Sequence, residues 1–266
     1  KYKNLYVLLP KNKRRMYQEH QPHSLLLPFV ETYWTAESFV EGAEKSKILP
    51  DGCVDIMFSF GGTSATGGLK PFLPHIVGTM TSYSKIIYTG RVCMLGIRFK
   101  PVGITAFTRV PVNEFTNRLI DMTLVDTLFD ERFYDTLPEK DSLKASMQHI
   151  DNYLINKLSY IFQPDRRIIC AIDLIRQTKG ILPLTAVAEQ ACLCQRHFER
   201  VFKSTVGISP KAFSKITKFN YTRYYLKTYP SESLYSAAVD CGYYDHTHLI
   251  KDFKTLAGDV PANFRH

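Results

Sequence analysis

The last third of the sequence contains one pattern twice, with matching residues 51 positions apart. Each copy predicts a short helix, a glycine that ends it and a helix that starts at proline, because Gly favours helix C-termini and Pro favours first turns. A duplicated helix-turn-helix predicts a protein that reads DNA with two helices. The matching pairs are His197 and His248, Phe202 and Phe253, Lys203 and Lys254, Gly207 and Gly258, Pro210 and Pro261, and Phe213 and Phe264.

The residues around this repeat predict an all-helical domain over 164–266. Ser209 and Asp245 are placed to cap two of its helices, since both side chains accept hydrogen bonds from helix N-termini. The helix-turn-helix units span about 184–205 and 233–256. The seven predicted helices are 167–177, 184–190, 195–204, 210–229, 234–241, 246–256 and a short one from 261.

The second helix of each unit must be apolar on one side and able to contact bases on the other. Phe198, Val201 and Phe202 form the inner face of the first, and Leu249 and Phe253 that of the second. Arg and Lys donate to guanine, Glu accepts from cytosine and the Thr methyl contacts thymine. The outward side chains are Arg196, Glu199, Arg200 and Lys203 in the first helix and His246, Thr247, Ile250 and Lys251 in the second.

The helix between the two units has a length that suits DNA. Twenty residues over 210–229 span about 30 Å, close to the roughly 34 Å of one duplex turn. The two reading helices can therefore enter successive major grooves. Lysines around this region are expected to contact phosphates or to be solvated. They are Lys203, Lys211, Lys215, Lys218 and Lys254.

The first part of the chain, 1–163, predicts a β-rich domain with helices, in the form of a sandwich or a barrel. Short apolar runs at 48–49, 54–58, 86–88 and 94–99 are separated by turn residues at 50–52, 61–62, 67–68 and 89–90. The stretch 25–34 fits a strand or an amphipathic segment. Helices are predicted over 102–107 and 143–161, and together these features give an α+β protein of two domains.

The charge and cysteine content favour a reduced, cytoplasmic protein that binds a polyanion. Residues 165–266 hold 15 Lys and Arg against 9 Asp and Glu, so this smaller part carries most of the net positive charge. No apolar run reaches the roughly 20 residues of a membrane helix. The six cysteines form no C-x-x-C pair, and Cys170 and Cys241 lie in apolar helical patterns that predict core positions.

The stretches 184–189, 196–203, 207–213, 238–254 and 258–265 resemble the DNA-binding domain of AraC/XylS bacterial transcription regulators. The resemblance implies double-stranded DNA as partner, and base contacts from the residues Arg196, Glu199, Arg200, His246, Thr247 and Lys251.

Residues 49–58 and 96–101, with Trp34 upstream, resemble the β-rich sensor region of one AraC-type subgroup. In the wider family such regions bind a small effector, mediate dimerisation, or both, and RNA polymerase is a plausible partner. Cys194 and Pro183 depart from the pattern, which has polar caps there.

Several alternatives stay open beside this interpretation. The N-terminal part could be an enzyme with Cys53 as nucleophile, although no base accompanies it and we expect no enzyme activity. It could instead contact only protein partners. Cys192 and Cys194 could form a redox sensor, but one core thiol and one tolerated cap are favoured. His246 and His248 do not share a helix face, so we expect neither a metal nor a cofactor.

Overall fold

The computed structural model describes residues 7–8, 17–60, 64–65, 69–125 and 128–265. Its N-terminal part is built on an antiparallel sheet of eight strands, in the order β1-β3-β7-β4-β6-β8, with β2 paired to β3 and β5 paired to β7. The strands are β1 (Val7–Leu8), β2 (Tyr17–His20), β3 (Val30–Ile48), β4 (Val54–Ser59), β5 (Ser64–Ala65), β6 (His75–Val77), β7 (Ser84–Phe99) and β8 (Leu119–Asp121). The β-rich prediction is confirmed, with one sheet in place of a two-sheet sandwich.

Two long strands, β3 and β7, organise the sheet, and this differs from the predicted series of short strands. The expected turn at 89–90 is wrong, because β7 runs through it without a break. Gly90 has φ +66° and lies opposite Val40, where the register of β3 shifts before Ala43. A glycine inside a strand marks a bulge. The expected turn at 50–52 does join β3 to β4, and the glycine pairs at 61–62 and 67–68 lie outside the described residues.

The helices follow the predicted order. They are α1 (Glu131–Thr136), α2 (Leu143–Lys157), α3 (Arg166–Gln177), α4 (Leu184–Gln190), α5 (Gln195–Val206), α6 (Pro210–Thr228), α7 (Leu234–Asp240) and α8 (His246–Ala257). Three expected helical segments contain 3₁₀ turns instead: Gly103–Ala106, Leu158–Tyr160 after α2, and the seventh C-terminal element, Pro261–Phe264. Short stretches of this kind are typical of 3₁₀ turns, which occur at the ends of α-helices and as connectors. The undecided stretch 25–34 holds the end of a 3₁₀ turn and the start of β3.

The two faces of the sheet have different neighbours because strand side chains alternate. On β7, Leu95, Ile97 and Phe99 belong to a core that also contains residues of α1 and α2. Met94 joins Trp34 and three other buried residues in a smaller cluster of its own. The C-terminal helices enclose a separate core, which Leu49 and Val102 of the N-terminal part enter.

Substitution of Phe133 on α1 tests the packing of the larger N-terminal core. Its ring lies within 6 Å of Phe58, Phe129 and Tyr153 and is 1% exposed. Phe133→Ala should lower the free energy of unfolding by about 3–5 kcal/mol, because it removes buried area and leaves a cavity. Tyr160→Ala, at a position 82% exposed, is the control and should change it by less than about 0.5 kcal/mol. Urea unfolding followed by circular dichroism measures both, and equal losses would contradict this packing.

Candidate DNA-binding surface and sensor cavity

Helix α5 presents its predicted polar face to solvent. Phe198 and Phe202 are fully buried and Val201 is half-buried. The helix ends at Gly207, whose φ of +93° is the left-handed conformation that stops helices. At its start, Cys194 makes no capping hydrogen bond through its side chain, as expected of a residue that lacks a strong acceptor. The helix before it, α4, likewise begins at Pro183 with no side-chain cap.

Helix α8 repeats this arrangement with a stronger start. The carboxylate of Asp245 accepts a hydrogen bond from the backbone N–H of His248 at 2.7 Å, which confirms the predicted cap. Leu249 and Phe253 are fully buried. Gly258 ends the helix with φ +60°. The structure therefore gives α8 a firmer N-terminus than α5.

The six side chains predicted to contact bases are exposed, and so are three of the five lysines predicted near phosphates. Two of them have neighbours on their own helix: Gln195 Nε2 donates to Glu199 Oε1 at 3.2 Å, and Arg200 Nη2 lies 3.3 Å from His197 Nδ1. Both contacts are at the surface, so DNA can replace them at little cost. The exposed residues are Arg196, Glu199, Arg200, Lys203, Lys211, His246, Thr247, Lys251 and Lys254.

Lys215 and Lys218, which were predicted to contact phosphates or to be solvated, instead contact other parts of the helical domain. Lys215 forms an ion pair with Asp252 of α8 at 2.9 Å. Lys218 donates to the carbonyl of Gly242 at 3.3 Å and lies 4.5 Å from the ring centre of Tyr243. Its burial lowers the pKa of the amine. Both lysines hold α6 to the second helix-turn-helix unit.

The linking helix α6 contacts both reading helices through aromatic rings. Phe213 packs against Phe202 of α5 at 5.6 Å between ring centres, and Phe219 packs against Phe253 of α8 at 4.8 Å. The 19 residues of α6 span about 28 Å, close to the expected length. Sequence reasoning missed Arg223, which is 1% exposed and lies about 5.5 Å from the rings of Phe219 and Phe264.

The cysteine predictions are partly wrong. Cys170, Cys192 and Cys194 are exposed, whereas Cys241 is buried as expected. Cys192 adopts φ +54° at the turn between α4 and α5, so its side chain cannot follow the buried face of a helix. Within the described residues, no group of three His, Cys, Asp or Glu side chains could hold a metal ion.

The N-terminal domain contacts the C-terminal end of both reading helices. The Thr79 hydroxyl donates to the carbonyl of Val206 at 2.6 Å, and the Thr116 hydroxyl donates to that of Gly207 at 2.6 Å. At α8, the Tyr83 ring packs directly on Gly258. Thr79 and Tyr83 belong to one segment between β6 and β7, residues 78–83, which we call the bridging loop.

Two further contacts join the domains. Lys47 Nζ donates to the carbonyls of Ala257 and Gly258 at 3.1 and 3.2 Å. Asn220 of α6 donates to the carbonyl of Pro50 at 3.0 Å. The contacts to α5 and α8 reach carbonyls at their C-terminal ends, which leaves the N-terminal turns open for DNA.

A cavity of about 570 Å³ lies against the sheet face opposite α1 and α2. Its wall includes Trp34, Met57 and Met94 from three adjacent strands. The bridging loop supplies Gly78, Met80, Ser82 and Tyr83 to the same wall. The loop is therefore shared between the cavity and the two reading helices.

One charged cluster lies in the wall of this cavity. Arg98 donates to both carboxylate oxygens of Asp55, at 3.0 and 2.8 Å, and its Nε lies 3.4 Å from Asp51. Cys53 lies in the same wall. Burial raises the pKa of its thiol well above the ordinary value, and Asp51 adds to that rise. A thiol held neutral is a poor nucleophile, so the geometry gives the Cys53 enzyme alternative no support.

Cys194 offers a direct test of the start of α5. Cys194→Ser should stabilise the helix by about 0.5–1 kcal/mol, because a serine hydroxyl can accept from a backbone N–H in the first turn. Cys194→Ala should leave stability nearly unchanged, since the native side chain makes no capping hydrogen bond. Thermal unfolding of the three proteins measures the difference. Equal melting temperatures for Ser and Ala would contradict the assignment of residue 194 as an unsatisfied cap.

Comparisons with known proteins agree with this two-part architecture. Residues 187–266 match a family described as a helix-turn-helix domain, and residues 18–121 match a domain of unknown function, DUF6597. An uncharacterized HTH-type transcriptional regulator of Haemophilus influenzae is 24% identical over 114 residues, which cover 43% of this chain and 38% of that protein. This chain thus spans well under half the length of that relative.

Two solved structures resemble this chain weakly, both in fold and in sequence. A probable AraC family transcriptional regulator from Rhodopseudomonas palustris has a TM-score of 0.35 and 18% identity, over 38% of this chain and 94% of that one. ToxT from Vibrio cholerae with an unsaturated fatty acid bound has a TM-score of 0.45 and 8% identity, over 92% and 96%. Among the described helices, none has the length and apolar character needed to cross a membrane. The duplicated motif and the family match show a helix-turn-helix domain over residues 187–266, and residues 18–121 are similar to the DUF6597 family.

Proposed function

We propose that this protein binds double-stranded DNA sequence-specifically through α5 and α8 and regulates transcription in response to a small molecule in the N-terminal cavity. Arg196, Glu199 and Arg200 contact bases in one major groove. His246, Thr247 and Lys251 contact bases in the next. Lys203, Lys211 and Lys254 contact phosphates. The exposure of all nine side chains supports these roles.

One observation carries the proposal of effector control. The bridging loop contributes to the cavity wall and also contacts the last residues of α5 and α8. A ligand that displaces this loop changes the relative placement of the two reading helices. Allosteric control of this kind needs two states that bind the ligand with different affinity.

The domain boundary near residue 163 is part of the same proposal. The C-terminal core draws nearly all its members from residues after 165, which supports this division. Leu49 and Val102 are the described core residues that cross it. A homodimer and a contact with RNA polymerase follow from the family resemblance and stay predictions.

The base contacts are tested by two substitutions with a charge-matched control. Arg200→Ala and Lys251→Ala should each weaken binding to a selected operator by about 1–3 kcal/mol, roughly 5- to 150-fold, and relax sequence preference. Lys144→Ala removes the same charge from an exposed position on α2 and should leave binding unchanged. Fluorescence anisotropy on operators selected from random DNA measures the affinities. If both reading-helix variants keep wild-type affinity and preference, the assignment is wrong.

The bridging loop is tested by hydrogen exchange. Thr79→Val removes the buried hydroxyl that holds the end of α5 and leaves the Val206 carbonyl without this donor. Backbone amides near residues 203–208 should exchange faster, because the local opening free energy falls by about 1 kcal/mol or more. Thr136→Val removes a hydroxyl that bonds the carbonyl of Arg132 on α1 and is the control. Equal exchange at 203–208 in both variants would show that the loop does not hold α5.

A further inference from the structure

The cavity beside the bridging loop has a mostly apolar wall and one buried polar region. Trp34 is 7% exposed, Met57 8% and Met94 4%, and Tyr17 stacks on Trp34 at 5.9 Å between ring centres. Methionine side chains adapt to irregular shapes. This wall suits a ligand with an apolar or aromatic body, as small-molecule sites generally do.

The buried polar region holds more acidic than basic side chains. Arg98, Asp51 and Asp55 have side chains that are 7%, 9% and 15% exposed. Two carboxylates thus face one guanidinium, and the neutral Cys53 thiol adds no charge. A buried charge that is not matched by an opposite charge is costly. A ligand that brings one positive charge removes this imbalance.

Asp51 accepts fewer side-chain hydrogen bonds than Asp55, which holds both bonds from Arg98. One of the Asp51 oxygens accepts from the backbone N–H of Cys53 at 2.9 Å. The other lies 3.4 Å from Arg98 Nε, which also donates to Asp55 at 3.0 Å. An ionised carboxylate has about four acceptor sites. An ammonium group can therefore bond Asp51 without breaking the bidentate Arg98–Asp55 pair.

The basic residues in the cavity wall other than Arg98 are at its mouth. Lys85 and Arg118 are exposed. Lys85 Nζ lies 5.9 Å from the ring centre of Tyr83, and Arg118 Nη1 donates to the carbonyl of Glu114 at 3.3 Å. Arg176 and Glu31, which act on Cys53 from outside the wall, are exposed and opposite in sign. Solvent screens such charges, so the buried cluster dominates the interior.

The indole of Trp34 lies beside the buried cluster of Arg98, Asp51 and Asp55. Its ring lies directly over Gly96, which leaves no space there for a Cβ atom. Its Nε1 is buried beside Asp55, close enough to lower the pKa of that carboxyl, but makes no well-directed hydrogen bond. Burial outweighs this effect and raises the pKa of Asp55. An aromatic ring beside a carboxylate is a favourable environment for an organic cation.

We propose that the cavity binds a monocationic organic amine with an apolar body. Its ammonium group contacts Asp51 and the edge of the Arg98–Asp55 pair, and its body lies along Trp34 and the two methionines. This inference specifies the effector class of the proposed function and rests on it for any consequence on DNA. Binding itself requires no DNA and is measured separately.

Three probes with one body and different head groups test the proposal on the full chain. They are 4-phenylbutylamine, 4-phenylbutanol and 5-phenylvalerate, which share a phenyl ring on four methylenes, and isothermal titration calorimetry gives their affinities. We expect the amine to bind most tightly, the alcohol more weakly and the carboxylate weakest. Binding of the carboxylate as tightly as the amine, or no binding of the amine at millimolar concentration, would overturn the proposal.

Two variants locate the site. Asp51→Asn keeps an acceptor for the Cys53 N–H and removes the charge, so amine affinity should fall on the order of 30-fold or more while alcohol affinity stays constant. Asp173→Asn makes the same charge change at an exposed position on α3 and should have no effect. Met94→Trp places a larger ring in the apolar wall of the cavity and should weaken the binding of all three probes. If Met94→Trp binds the amine normally, the amine is bound elsewhere and the proposal is wrong.

Ligand binding and DNA binding can fail independently of each other. If the amine binds as expected but operator affinity does not change, the ligand class stands and effector control by the cavity is refuted. If operator binding fails altogether while the amine binds, the proposed DNA contacts are wrong and the site is unaffected.

Discussion

The docking of the bridging loop on the ends of both reading helices is the contact on which the rest of this structure depends. Residues 79 and 83 lie four positions apart in sequence, yet they contact α5 and α8 respectively. The contacted groups are glycines and backbone carbonyls at helix C-termini. Carbonyls at these ends have no hydrogen-bond donor within the helix. A hydroxyl or ammonium group that donates to such a carbonyl takes the place of a water molecule as its hydrogen-bond donor. The N-terminal domain thus holds α5 and α8 without covering their N-terminal residues.

The same arrangement gives the proposed coupling between the cavity and DNA a short path. Asp51 and its neighbour Gly52 form the turn between β3 and β4, and the Phe213 ring of α6 packs on Gly52. Phe213 in turn packs on Phe202 of α5. The path from the Arg98 cluster to α5 therefore consists of packed groups with little free space. Close packing of this kind transmits small displacements, since interiors are not readily compressed.

The order and approximate bounds of the C-terminal helices could be predicted from the sequence, whereas the strands of the N-terminal domain could not. The C-terminal helices carry local signals: Ser209 and Asp245 as caps, Pro210 as a first-turn residue, Gly207 and Gly258 as stops. The long strands β3 and β7 lack such signals, because their register depends on partners far away in sequence and a glycine bulge resembles a turn. The cavity was missed for the same reason. The charged cluster forms only when β4 pairs with β7 and places Asp55 opposite Arg98. Asp51 lies in the turn before β4 and joins the same cluster.

The departures at individual residues also have physical causes. Lys215 and Lys218 were expected at the DNA surface, but α8 supplies Asp252 and the preceding turn supplies the Gly242 carbonyl. Arg223 is buried because two aromatic rings and the Asn220 side chain surround its guanidinium. These contacts join helices that are distant in sequence. Helix periodicity alone cannot reveal them.

The central claim is that α5 and α8 enter successive major grooves on one face of the duplex. Protection of guanine N7 atoms from dimethyl sulfate on a selected operator tests it most directly, because N7 lies in the major groove. The account predicts two protected patches whose centres are about 10 base pairs apart, one turn of the duplex. A single protected patch, or two patches separated by half a turn, would contradict it.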